Sequence, residues 1–118
     1  MTDRQLVLMK QEQQLNEREV DLYREETKLE RLEEDCFGHF SKANHLFSDM
    51  RYLFSGTDDS PFFEELSHEV YQDSRKMEET LSSVRKDVKH QHQSLQKQLD
   101  DLYKDKQTIM REEEEQLS

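Results

Sequence analysis

Apolar residues recur every seven positions along the first half of the chain. The repeat comprises Leu8, Leu15, Leu22, Leu29, Cys36 and Ala43. The companion positions, three or four residues further on, are polar as far as Glu26. Later companions are apolar, namely Leu32, Phe40, Leu46, Phe47, Leu53 and Phe54. A sevenfold repeat indicates one edge of a coiled-coil seam. We therefore predict a long helix whose apolar face is narrow near the start of the chain and broad near its middle.

The second half of the chain shows the same pattern in reverse. A rich apolar face follows Pro61, and beyond Val88 a single sevenfold line continues. That line comprises Leu81, Val88, Leu95, Leu102 and Ile109. We predict a second long helix that narrows away from Pro61. It ends in four consecutive glutamates at 112–115, which the dipole at a helix C-terminus disfavours, so we expect this end to fray.

The two patterns meet at residues 54–61, where Gly56 and the only proline occur together. A glycine just past a helix end supplies a left-handed cap, and proline suits the first turn of the next helix. Ser60 is the expected N-cap of that second helix. At the start of the chain, Thr2 and Gln5 have the spacing of a capping box.

These features predict an all-α protein built as one antiparallel two-helix hairpin. The predicted domain covers residues 1–118, with helices at 3–55 and 61–116 joined by a turn at 56–60. Facing residues of such a hairpin have numbers with a constant sum, and the two heptad lines give 117. The midpoint falls between Asp58 and Asp59, inside the turn, so the repeats and the turn indicate one register. This register places Phe54 opposite Phe63.

Composition supports an elongated helical protein. Only 31% of residues are hydrophobic and 38% are charged, which is too few apolar residues for a compact core and typical of long helices. A net charge of −11 argues against nucleic-acid binding, which needs a basic face. We find no signal peptide or membrane span and expect a cytoplasmic protein. Cys36 lies on the apolar face and is expected to be a small buried hydrophobe.

Near the turn, one neighbouring helix cannot cover all of the apolar surface. A contiguous aromatic patch of this kind usually marks an interface. The residues that we predict to bind a partner are Phe37, Leu46, Phe47, Met50, Leu53, Phe54, Gly56, Phe62, Phe63, Leu66, Val70 and Tyr71. The partner would be a second copy or a different helical protein that completes a bundle.

The same residues offer no evident catalytic chemistry. His90 and His92 are two positions apart, and so they face different sides of a helix and cannot chelate together. His39, His45 and His68 lack a zinc-site spacing, and no glycine-rich phosphate loop is present. We expect a non-enzyme without a metal or cofactor.

The turn also carries a family resemblance. A hairpin of about a hundred residues with a central aromatic-x-Gly turn resembles the WXG-type proteins of Gram-positive type VII secretion, with Phe54-Ser55-Gly56 in place of the tryptophan motif. The stretch from Phe62-Phe63-Glu64-Glu65 to Ser74-Arg75-Lys76, and the arm ending Leu99-Asp100-Asp101-Leu102-Tyr103, are similar to the small LXG-associated helical proteins.

The resemblance implies a targeting factor or chaperone. Such proteins bind the helical LXG domain at the N-terminus of a toxin, usually with a second small helical protein, for export by the type VIIb machine. The chain itself would be cytoplasmic or exported with its cargo. The family's export signal is aromatic-x-x-x-acid. Here Tyr103 is followed four residues later by Gln107, and Tyr71 by Arg75, neither of which is acidic. Phe54 and Asp58 have the spacing but lie in the turn, so we expect another subunit to carry the signal.

A homodimeric coiled coil acting as a scaffold or adaptor is the alternative from a different functional class. A self-sufficient rod would keep apolar companions along its whole length. In this chain they are concentrated in residues 36–84, which favours a partner of another kind.

Overall fold

A computed structural model describes residues 2–117 of the chain. It contains two helices, α1 (Asp3–Leu53) and α2 (Ser60–Leu117), and no strand within the described residues. The two helices form an antiparallel hairpin, which confirms the predicted all-α fold class. Over the described residues, neither helix contains a segment long and apolar enough to cross a membrane.

The first turn of α1 is closed by the predicted capping box. The Gln5 amide donates to Thr2 Oγ1 at 3.2 Å, and the Thr2 amide donates to Gln5 Oε1 at 3.3 Å. The Leu6 amide donates to the Thr2 carbonyl at 3.0 Å, the first backbone bond of the helix. Side chain and backbone thus satisfy each other reciprocally at this end.

The first helix ends at Leu53, two residues before the predicted boundary. The Phe54 amide still reaches the Met50 carbonyl, but the next bonds, from Ser55 to Tyr52 and from Thr57 to Phe54, span only three residues. These tighter bonds turn the chain out of the α-helical path. Gly56 follows with φ at 76°, the left-handed conformation expected of a glycine cap.

The second helix begins one residue earlier than predicted. The Asp59 carbonyl accepts hydrogen bonds from the Phe62 and Phe63 amides at 3.1 and 3.3 Å. Asp59 therefore occupies the N-cap position, and the assignment of that role to Ser60 is wrong by one residue. Pro61 still lies in the first turn, where its missing N–H has no helical partner to lose.

The hairpin divides into two compact units. The terminal unit comprises the described residues up to Glu26 and from Lys86 onward, and the turn unit is Thr27–Arg85. The terminal unit contains most of the well-buried core. Its buried residues are Leu8, Leu22, Val88, Leu95 and Leu102, all members of the predicted heptad lines. Leu22 is the most deeply buried, at 1% exposed.

Polar bridges between the helices flank the leucines of the terminal unit. His92 Nδ1 lies 2.6 Å from Glu26 Oε1, and Lys106 pairs with Glu12. Arg18 Nη2 donates to Gln91 Oε1 at 2.6 Å. These contacts hold the flanks of a seam that is a single apolar residue wide.

The glutamate run at 112–115 lies within α2. Glu112 Oε2 accepts from Arg4 Nη2 at 2.8 Å, and Glu113 Oε1 accepts from Thr2 Oγ1 at 2.7 Å. Gln5 Nε2 also donates to Glu113 Oε2, at 2.5 Å. The N-terminus of α1 therefore faces these carboxylates, and its dipole favours the negative charge that the C-terminus of α2 disfavours.

The turn unit is packed more loosely. Although every residue from Thr27 to Arg85 is described, only Leu29 and Leu81 are buried there. The Phe54 and Phe63 rings stack with centroids 4.4 Å apart, which confirms the predicted pair next to the turn. Gly38 lies inside α1, and no atom beyond its own local backbone comes within 4 Å of the position that an alanine Cβ would occupy. Gly38 therefore marks no close helix crossing.

Candidate partner-binding surface

The predicted partner-binding residues all lie in the turn unit, and none of them is buried. Five apolar members are exposed: Phe37, Leu46, Leu53, Phe62 and Tyr71. The others, apart from exposed Gly56, are half-buried: Phe47, Met50, Phe54, Phe63, Leu66 and Val70. Phe37, at 75% exposed, shows how little of this surface the second arm covers.

A groove lies between α1 and α2 within the turn unit, and we call it the trough. It consists of two adjoining cavities of about 680 and 440 Å³ that share Asn44 and Ser48. An ion pair between the two helices lies at each end, Glu33 with Arg85 and Arg51 with Glu64.

The two ion pairs differ in geometry. Arg85 and Glu33 form a bidentate pair, with Nε 3.0 Å from Oε1 and Nη2 2.5 Å from Oε2. A bidentate pair fixes the relative orientation of the two side chains as well as the distance between them. Arg51 Nη2 and Glu64 Oε1 are 3.6 Å apart and both side chains are largely exposed, so this second pair contributes little to stability.

The floor and the middle of the trough have different chemistry. Phe40, Met77 and Leu81 supply apolar surface towards the end nearer Arg85. The middle is lined by short polar side chains, namely Ser41, Asn44, Ser48 and Ser74. Because these side chains are short, they leave the space between the helices unfilled.

The trough and the predicted surface overlap only in part. Phe37, Phe47 and Tyr71 line the trough. The remaining predicted residues lie elsewhere in the turn unit. The polar lining was missed because a search for apolar periodicity passes over serine and asparagine. The sequence did contain a sign of this space. Ala43 and Ser74 have numbers that sum to 117, so they face each other in the predicted register and form a layer with two small side chains.

Cys36 also lines the trough and is half-buried, so the expectation of a buried hydrophobe is wrong. In the predicted register Cys36 faces Leu81, which lines the same cavity.

One buried polar atom lies at the turn end of the trough. Ser67 Oγ, which borders the smaller cavity, is buried and has no hydrogen-bond partner among the described residues. An unpaired buried hydroxyl is destabilising. The turn unit therefore carries both uncovered apolar surface and an unsatisfied polar group.

The electrostatics of the turn unit are strongly acidic. It contains thirteen Asp and Glu residues against seven Lys and Arg residues, a net charge of −6 with histidines neutral. Two of the basic residues, Arg51 and Arg85, are already paired across the trough. Glu78 lines the trough and makes no salt bridge within the described part of the chain.

The histidines do not converge on a site. His39, His45, His68 and His90 are exposed, and His92 is half-buried against Glu26. Residues 2–117 contain no group of three or more His, Cys, Asp or Glu side chains arranged to hold a metal ion.

Comparison with known proteins places the chain in a family. No curated protein and no solved structure matches the chain. A family model described as "Protein of unknown function (DUF3958)" matches residues 3–109, a span that takes in α1, the turn, the whole trough and α2 as far as Ile109. The hairpin with its open turn unit is thus a member of the DUF3958 family.

Proposed function

We propose that this protein is a non-catalytic targeting factor or chaperone that binds the helical LXG domain of a secreted toxin and supports its export by type VII secretion. The observation that carries the proposal is the turn unit, whose apolar residues are left open by the second arm. A helical surface of this kind is completed by further helices. The aromatic-x-Gly turn and the LXG-associated resemblance supply the identity of the partner.

The contacts of the aromatic candidates support the proposal that another subunit carries the export signal. Phe54 has the correct spacing from Asp58 for the aromatic-x-x-x-acid signal, but its ring is stacked on Phe63. Tyr103, another aromatic candidate, is followed four residues later by Gln107, whose Nε2 donates to the Tyr103 hydroxyl at 3.0 Å. We propose that a second small helical protein in the complex presents the export signal.

Two substitutions of equal exposure test the surface. Leu46 in the turn unit and Val7 in the terminal unit are each 55% exposed, so Leu46→Glu and Val7→Glu expose the same charge to solvent. We expect Leu46→Glu to abolish co-purification with a co-expressed LXG domain and Val7→Glu to preserve it. Circular dichroism of each variant checks that the hairpin remains helical.

The rival function, a homodimeric scaffold, has its own outcome. If the unaltered chain sediments as a stable dimer and fails to co-purify with the LXG domain, the proposed function is wrong. Equal loss of binding in the two glutamate variants would also contradict a turn-unit interface.

A further inference from the structure

The trough has the dimensions of a helix-binding site. Its lining on α1 extends from Glu33 to Arg51, and at 1.5 Å per residue this span is about 27 Å, the length of a helix of about 18 residues or five turns. Both ends are bounded by ion pairs between α1 and α2, so the trough is a defined length of surface between the two helices.

We propose that the trough receives one amphipathic helix of about five turns from another protein, with an apolar stripe flanked by lysine and arginine. This inference deepens the proposed function by giving the chemistry of the partner helix. It rests on that function only in that the bound helix comes from another protein, and it does not depend on the identity of the toxin.

Charge decides between a foreign helix and a second copy. The turn unit has a net charge of −6, and Glu78 in the lining has no salt bridge to the described residues. A second copy would bring the same acidic unit against it, and like charges at an interface are unfavourable. Basic flanking residues would instead pair with Glu78, because the other two lining carboxylates, Glu33 and Glu64, are already paired with Arg85 and Arg51.

The lining also specifies where the partner needs bulk. At the end nearer Arg85, Phe40 and Met77 already fill the floor, so small or flat partner side chains suffice. At Ser41 and Ser74 the lining is short, and a large partner side chain can enter. The Asn44 amide in the middle provides a polar contact that can fix the register of the bound helix, as buried asparagines do in coiled coils.

A steric block tests the site without breaking the hairpin. Ser74→Leu places apolar bulk in the middle of the trough, whereas Ser83→Leu makes the same change at an exposed position nine residues further along α2, on the opposite side of the helix. The probes are two synthetic helical peptides of about 18 residues with the same apolar stripe, one flanked by Lys and Arg and the other by Glu.

We expect the full chain to bind the basic peptide, and Ser74→Leu to weaken that binding by more than about tenfold. Ser83→Leu should bind as the unaltered chain does, and the acidic peptide should not bind. Fluorescence anisotropy gives the affinities. Thermal unfolding should show both variants folded, with Ser74→Leu at least as stable as the unaltered chain.

Several results would overturn the inference. Absence of binding by both peptides, equal binding of both, or equal affinities of Ser74→Leu and Ser83→Leu would each exclude a basic helix in the trough. So would a homodimer that Ser74→Leu dissociates, because a second copy would then occupy the site. Co-purification with the LXG domain is measured separately. A negative peptide result therefore does not contradict the proposed function, and failure to co-purify does not contradict peptide binding in the trough.

Discussion

The terminal unit buries most of its apolar heptad line, whereas the turn unit leaves a broad aromatic surface open. All six phenylalanines of the chain lie in the turn unit, yet none of them is buried. In the terminal unit a single line of leucines suffices, since Leu22 and Leu95 are 1% and 3% exposed. The phenylalanines are therefore concentrated in the unit that buries fewer side chains.

The difference follows from what two helices can do. An antiparallel pair buries one stripe on each helix, and a stripe one residue wide is fully used by its neighbour. Any wider apolar face remains exposed until another helix covers it. The heptad line of the terminal unit is thus covered by the facing helix, whereas the wider aromatic face of the turn unit stays exposed.

The largest expected effect comes from breaking the buried line. Leu22→Ala should destabilise the hairpin by about 3 kcal/mol, because it removes a fully buried side chain and leaves a cavity. Leu46→Ala, a matched change at a half-exposed leucine of the turn unit, should cost less than about 0.5 kcal/mol. Chemical denaturation followed by circular dichroism gives both free energies. Similar losses for the two leucines would remove the contrast between the units.

The two glycines test whether backbone weakness opens the turn unit. Gly56→Ala should cost about 1 kcal/mol, because the φ of 76° suits glycine and the added methyl contacts nothing. Gly38→Ala should stabilise α1 by about 0.5–1 kcal/mol, since the site is helical and open. Thermal unfolding separates the two signs.

Gly38→Ala should also leave partner binding unchanged. If this substitution instead closed the turn unit and abolished binding of the LXG domain, the open surface would be a consequence of a weak helix and not of unfilled side-chain space.

The smallest effect is expected at the ends of the helices. Arg4→Gln removes an exposed ion pair with Glu112, so it should cost only a few tenths of a kcal/mol, about 0.3, and less in high salt. Hydrogen exchange at the Gln5 and Leu6 amides measures the local loosening. A loss comparable to that of Leu22→Ala would mean that charge, and not the leucine line, holds the terminal unit together.

Much of the hairpin could be predicted from the sequence because its signals are strong and independent. The heptad leucines, Gly56 and the Thr2–Gln5 box each indicate the same architecture, and the facing pair Phe54–Phe63 confirms the register. The helix boundaries in the structure differ from the predicted ones by one or two residues. Phe54 and Ser55 leave α1 through backbone hydrogen bonds that span three residues, and helix propensity does not predict such bonds.

The candidate site was predicted less completely. Exposed aromatics such as Phe37 follow from counting apolar residues against one neighbouring helix. The trough depends on short polar side chains, Ser41 and Ser74, whose effect is the space they leave. The pairing of Glu113 with the start of α1 was missed because the dipole argument considered each helix alone, and the favourable end belongs to the other helix.

The location of the buried leucines bears on the order in which the hairpin forms. The pair Glu26–His92 already joins residues 66 positions apart, and the leucines beyond it are separated further. The best burial is therefore gained only after the longest loops close, whereas the contacts near Gly56 are short-range but weak. A chain of this kind has no strong local nucleus. Ordering the turn unit by a bound helix would shorten the free loop that the leucines must close, and folding would then accelerate with partner concentration.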